Sequence, residues 1–356
     1  MPFAFNLATN DVFELTKQVT LRVITGSAVI AATAAWLARD AGTPAGRVRV
    51  TWLRSPAVWA AAAIVLAWSI ATVLSVAPAI SLWGSSLRWQ GLHAQLGYVV
   101  AFLIASLALG EWRHVRRFAK WVVVVASLLA LYGLAQRAGI DPLPWRELSR
   151  RFPIATFGNQ AYLAAYLVQT LLLTFGLALV ATGGRRTAWL LGAAVQALAL
   201  LLSLGRGAWL GAAAGLAVFL AIAVARRLVR PRTAGALAGA GLAMLTVVFA
   251  AVAPLRDRLL SLLDPSSAGG TAALRLEYWP AALQHWLARP VSGYGPDTQS
   301  AIFEWRYLRA FQEEATDRAH NWLMDTLLTT GALGALALLA VCLAVALSVA
   351  RLLRSS

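Results

Sequence analysis

The sequence predicts an all-α, polytopic integral membrane bundle of about nine transmembrane helices with a long outer loop. Three observations carry this. Of 356 residues, 60% are hydrophobic and only 13% are charged, against about 25% charged in soluble domains. The mean hydropathy is +0.68. The basic residues gather in alternate gaps between apolar runs. A soluble enzyme and a disordered chain are both excluded, the second because disorder needs low hydrophobicity.

The predicted spans run near 18–38, 56–77, 92–110, 119–137, 160–181, 188–204, 207–225, 233–253 and 331–350. Each has the length and apolarity a helix needs to cross a bilayer. The sixth is short and bounded by Gly205. Trp52, Trp59, Trp83, Trp89, Trp112, Trp121, Trp189 and Trp209 fall near span ends, as interfacial aromatic residues do. The predicted division is 1–253 (eight spans with short loops), 254–330 (the long outer loop) and 331–356 (the last span and a tail). Cys342 is the single cysteine and lies in an apolar run, so it reads as a small core hydrophobe and excludes an intrachain disulfide.

The net charge of +16 would suggest nucleic acid in a soluble protein. Here it is better explained by the positive-inside rule. The gaps 39–55, 111–120, 185–186 and 226–232, with the tail, carry Arg39, Arg47, Arg49, Arg54, Arg113, Arg116, Arg117, Lys120, Arg185, Arg186, Arg226, Arg227, Arg230, Arg232, Arg351 and Arg354. Only Asp40 and Glu111 stand among them. Nine alternating helices put all of these on the cytoplasmic side and the N-terminus outside. No signal-peptide pattern opens the chain.

The opposite face holds 78–91, 138–159, a tight turn at 205–206, and 254–330, which is long enough to suggest function. Arg88, Arg137, Arg146, Arg150, Arg151, Arg206, Arg275, Arg289, Arg306, Arg309 and Arg318 stand there against positive-inside pressure. Arg206 lies in Ser203-Leu204-Gly205-Arg206-Gly207, between two apolar helices. It reads two ways: as a bidentate grip on a polyanion such as a lipid diphosphate, or as an interfacial turn whose Arg snorkels to headgroups.

His320, in Asp317-Arg318-Ala319-His320-Asn321-Trp322, is a candidate general base where a helix re-enters the apolar phase. The alternative is a surface His that caps a helix or pairs with Asp317. His93 and His285 take that second reading, and His114 reads as solvated. Glu313, Asp317 and His320 share helical spacing and could hold a divalent metal. A solvated face paired with Arg309 and Arg318 is the preferred reading, so no metal and no cofactor are expected. No glycine-rich nucleotide loop of either common form is present.

Five pieces, in order, resemble the O-antigen ligase family, in the superfamily shared with O-antigen polymerases. They are Phe13-Glu14-Leu15-Thr16-Lys17; Ser81-Leu82-Trp83-Gly84 with Arg88 and Gly91; Thr156-Phe157-Gly158-Asn159-Gln160; Ser203-Leu204-Gly205-Arg206-Gly207-Ala208; and a final set. That set joins Arg275 and Trp279 to Pro290-Val291-Ser292-Gly293-Tyr294-Gly295-Pro296, Ala319-His320-Asn321-Trp322 and Gly331-Ala332-Leu333-Gly334. The resemblance covers nearly the whole chain. It implies further helices before the first piece and after the last, so the chain is expected to be truncated at both ends.

The resemblance implies a membrane-embedded, inverting, metal-independent glycosyltransferase of polysaccharide biosynthesis. It is expected in a bacterial inner membrane with its active site on the periplasmic face. The implied donor is a glycan on undecaprenyl diphosphate, and the acceptor a hydroxyl of a glycolipid, glycan or protein. It casts His320 as the base and Arg206, Arg275 and Arg88 as diphosphate ligands. Asn321, Asn159 and Tyr294 are cast as substrate-positioning residues. A polysaccharide polymerase, a protein O-oligosaccharyltransferase and a lipid-glycan flippase are the alternative readings. Few polar groups lie mid-span (Gln169 and Gln196 are the deep ones), which disfavours a transporter.

Overall fold

A computed structural model describes residues 14–37, 55–86, 88–141, 143, 151–232, 271–302 and 318–355, with isolated positions at 235, 239, 246 and 256–257. Every regular element among them is helical. In chain order the helices are α1 (Glu14–Leu37), α2 (Pro56–Val73), α3 (Pro78–Trp83), α4 (Leu92–Ala108), α5 (Trp112–Arg137), α6 (Gln160–Val180), α7 (Gly183–Leu202), α8 (Arg206–Ala225), α9 (Thr271–Ala288), α10 (Gln299–Ile302) and α11 (Trp322–Ser355). A 3-10 turn, Ala155–Phe157, precedes α6.

Five of the described helices are long and apolar enough to cross a membrane: α2, α5, α6, α8 and α11. Helix α4 is apolar but has only 17 residues. The expected nine spans are therefore not reached among the described residues, and most of 233–253 and of 254–270 lies outside them. Exposed apolar side chains on the spanning helices fit lipid as their solvent. Leu210 and Val218 of α8 and Leu336 and Leu339 of α11 are each about three-fifths exposed.

The chain divides into two compact units by packing: Phe3–Ala108 with Gly269–Ser356, and Leu109–Ala268. In the first, α2 pairs with α11, α1 with α4, and α9 with α11. In the second, α6 packs against α5, α7 and α8.

Polar and small residues set the packing of the second unit. Gln196 of α7 is fully buried. Its amide Nε2 donates to Ser127 Oγ of α5 (3.0 Å) and to Thr174 Oγ1 of α6 (3.0 Å), while its Oε1 accepts from Thr170 Oγ1 (2.9 Å). One side chain thus ties three helices. Each of its partners is also spoken for, since Ser127 and Thr174 hydroxyls donate to backbone carbonyls one turn back. Helix α8 lies close on α6 because Gly211 and Gly215 face Val168 and Leu172 across the contact, the small-residue interface of membrane helices.

In the first unit the determining feature is a break in α11. Gly331 has φ 62 and ψ −159, a region essentially reserved for glycine. A continuous helix would bond the amides of Ala332 and Leu333 to the carbonyls of Leu328 and Thr329. Instead the segment 290–295 threads the break and takes all four groups. The amides of Tyr294 and Gly295 donate to Leu328 O (2.9 Å) and Thr329 O (2.8 Å). The amides of Ala332 and Leu333 donate to Pro290 O (2.8 Å) and Val291 O (3.2 Å). The approach is so close that a Cβ on Gly331 would overlap the Val291 carbonyl, and one on Gly293 would lie 2.6 Å from the Leu328 oxygen.

Two outcomes check this. Gly331→Ala is expected to lose at least about 2 kcal/mol, from backbone strain and overlap together. It should lower the melting temperature in detergent or abolish the monodisperse peak on size exclusion. Gly26→Ala, with nothing within 4 Å of the added carbon, is the neutral control. Gln196→Leu is expected to cost about 1–2 kcal/mol by removing three interhelical hydrogen bonds, read as a lower melting temperature.

Candidate functional site

The segment that carries His320 is fixed from both sides. Ala319 is fully buried, its amide donates to Asp325 Oδ1 (2.9 Å), and its carbonyl accepts from the indole of Trp279 (3.1 Å). Ala319 also packs with Ala282, Ile302 and Leu328 in one buried cluster. His320 follows with φ 51, in the left-handed region, and its side chain is exposed. A non-glycine residue held there marks strain, which collects at functional sites. The Asp325 carboxylate faces Arg318 and His320 and also bonds the Gln299 side chain.

Asn321 caps α11: its Oδ1 accepts from the amides of Leu323 (3.0 Å) and Met324 (3.4 Å). Asn159 does the same for α6, accepting from Ala161 N (2.8 Å). Both residues predicted as substrate-positioning thus have a local reason to be asparagine. Tyr294 lies in the segment threaded through the α11 break. Its hydroxyl donates to His285 O (3.2 Å), and the Arg289 guanidinium sits 5.3 Å from its ring centre.

Arg88 is half-buried in a turn after α3, closed by the amides of Arg88 and Trp89 donating to Ser85 O at 3.2 and 2.9 Å. That turn is joined to the His320 segment, since Arg318 Nη2 donates to Gln90 Oε1 (2.6 Å). Arg275 lies in α9, but its side chain falls outside the described part, as do Glu313 and Asp317 of the metal reading.

Arg206 and Asn159 belong to the second unit. Arg206 is the first residue of α8, half-buried, after a turn in which Leu204 has φ 54. The Ser203 hydroxyl donates to Leu200 O (2.7 Å) and accepts from Gly205 N (3.3 Å), which closes the turn. Gly205 packs beside Ala164, in the second turn of α6. Arg206 and Asn159 therefore stand at the same end of that unit, and the α8 N-terminus adds its own positive potential to the Arg206 charge.

Three residues escaped the sequence reading. Arg22 lies in α1, inside the predicted first span, and its Nη2 donates to the carbonyls of Trp83 (3.0 Å) and Trp89 (3.4 Å). A charge within a span was a legible signal. Asp297 gave none, because Ser85 and Gln90 are reached only through the fold, whereas Asp325 has its partner Ala319 six residues away.

Helices of this length and exposure, with charged residues gathered where they break or turn, define a polytopic helical membrane protein whose polar chemistry sits at helix ends. Residues 191–339, about two-fifths of the chain, match the family model described as O-antigen ligase. The matched segment holds Arg206, Arg275, Tyr294, Asp297, His320 and Asn321, while Arg88 and Asn159 precede it. No curated protein matches the chain. The match makes that segment similar to the O-antigen ligases of polysaccharide biosynthesis.

The cap gives a test. Asn321→Ala should cost about 1 kcal/mol of stability, with Asn321→Ser restoring it. If Asn321 serves only as a cap, transfer recovers with stability in the Ser variant. Recovered melting temperature without recovered transfer would assign it a substrate contact.

Proposed function

We propose that the protein is an inverting, metal-independent glycosyltransferase that moves a glycan from undecaprenyl diphosphate to an acceptor hydroxyl on the outer face of a bacterial inner membrane. The observation that carries this reading is His320. It lies inside the family-matched segment, is exposed, and is held in a strained backbone conformation by a buried neighbour with three restraints.

The neutral imidazole of His320 takes the proton of the acceptor hydroxyl as its oxygen bonds to the anomeric carbon. The bond from that carbon to the phosphate oxygen breaks, and the electron pair leaves with the lipid diphosphate. Arg206, Arg275 and Arg88 hold the diphosphate and stabilise the charge growing on it. The cleaved phosphoester supplies the driving force, so no nucleotide is consumed. Ligation to a glycolipid is the favoured reaction. Chain polymerisation and protein glycosylation use the same donor chemistry and differ only in the acceptor.

The test is mass spectrometry of undecaprenyl-linked glycans in host cells lacking the gene, complemented with wild type or variants. His320→Ala is expected to reach the membrane and leave lipid-linked glycan to build up. Wild-type glycan profiles with His320→Ala would overturn the base assignment. Arg206→Lys keeps the charge but loses the planar fork, and a loss of about tenfold or more in transfer is expected. Full activity would return Arg206 to a headgroup-snorkelling role. Long stalled chains indicate a ligase and single repeats a polymerase.

A further inference from the structure

We propose that Asp297 is a positioning residue that holds the Arg88 turn in register with the His320 segment. The proposal rests on the roles given above to Arg88 and His320.

Asp297 is 8% exposed and has φ 59. One carboxylate oxygen accepts three hydrogen bonds, from Ser85 N (2.7 Å), Ser85 Oγ (3.1 Å) and Gln90 N (3.1 Å). The two amides stand on either side of Arg88. Backbone amides converging on one oxygen form an anion nest, and here the anion is supplied by the protein itself. Charge-assisted bonds of this kind are about twice as strong as neutral ones.

Asp297 can act as an anchor because its own chain is fixed. Gly295, two residues earlier, donates to Thr329 O in the α11 break, and Thr298 Oγ1 donates back to Gly295 O (2.7 Å). Gln90 then relays the position onward. Its amide goes to Asp297, its side-chain carbonyl accepts from Arg318 (2.6 Å), and Arg318 stands two residues before His320. On the other side of the turn Arg22 takes the carbonyls of Trp83 and Trp89. The turn is thus gripped by its amides from a carboxylate and by its carbonyls from a guanidinium. An apolar contact would hold the turn down without fixing where the Arg88 side chain leaves it. The left-handed backbone of Asp297 is the strain accepted to bring its carboxylate to that spot.

The test uses the full chain in proteoliposomes, with an undecaprenyl-diphosphate-linked glycan from the host as donor. Asp297→Gly keeps the positive φ and removes the carboxylate, while Asp297→Asn keeps the φ and one acceptor oxygen. Deuterium exchange of the peptide spanning Ser85 and Gln90 is expected to quicken by about tenfold or more in Asp297→Gly. Transfer should fall about tenfold in Asp297→Gly and no more than about threefold in Asp297→Asn. In an Arg88→Ala background the Asp297 substitution should add no further loss. If Asp297→Gly fails to reach the membrane, the same cycle is read with Asp297→Asn, whose smaller loss should vanish in the Arg88→Ala background.

Unchanged exchange overturns the proposal, and so does quickened exchange with wild-type transfer. Losses that multiply in the double variant also overturn it, because they assign Asp297 a general structural role. Full transfer by His320→Ala in the same assay sinks the functional reading alone, since the exchange measurement judges the Asp297 contacts separately.

Discussion

Four backbone groups left open at Gly331 are the constraint on which the first unit depends. In a medium without water an unpaired amide or carbonyl costs several kcal/mol. A helix can break there only if something else supplies matching partners. The segment 290–295 does so with two donors and two acceptors in the right order. The start of α3 and the Arg88 turn inherit their positions from this exchange. Tyr294 O receives the amide of Val76 (3.1 Å), which sets the start of α3. Gly295 fits against Ser75 and Ser81 because it has no side chain. Asp297 and the Arg88 turn follow from there, and the half of α11 before the break carries Asp325 to the back of the His320 segment.

The second unit solves the same problem by different means. Its described helices, α5 to α8, are unbroken, and their inner backbone groups are satisfied within each helix. Specific packing then has to come from side chains, because lipid is as apolar as the helices themselves. Gln196 supplies direction and Gly211 and Gly215 supply closeness. Arg206 sits at the end of this arrangement, where α7 turns into α8 within three residues. Its placement is therefore as firm as the packing of α6 against both neighbours.

Much of this was legible in sequence because bilayer spans must be long and apolar. The runs predicted at 56–77, 160–181 and 207–225 correspond to α2, α6 and α8. Helix α3 was not seen, since six residues inside a predicted loop carry too little periodicity, although Pro78 at its first turn is a start signal. The start of α11 at Trp322 lies well before the predicted span at 331, and Gly331 proved to be an interruption and not a beginning. Asn159 and Asn321 stand just before apolar runs, a capping pattern readable from spacing alone. The contacts of Asp297 with Ser85 and Gln90 span more than two hundred residues. No local pattern encodes such a pairing.

The buried cluster that unites Ile302 with Ala319 and Leu328 has a consequence for chain length. It clamps together the two chain positions between which residues 303–317 run, and His320 lies just beyond the second. Once the ends of a connection are held, doubling its length costs only about 0.6 kcal/mol in closure entropy. Changes of length there leave the cluster, the Asp325 contact with Ala319 and the helix break untouched. The architecture thus separates the fixed support of His320 from a connection whose length is only weakly constrained.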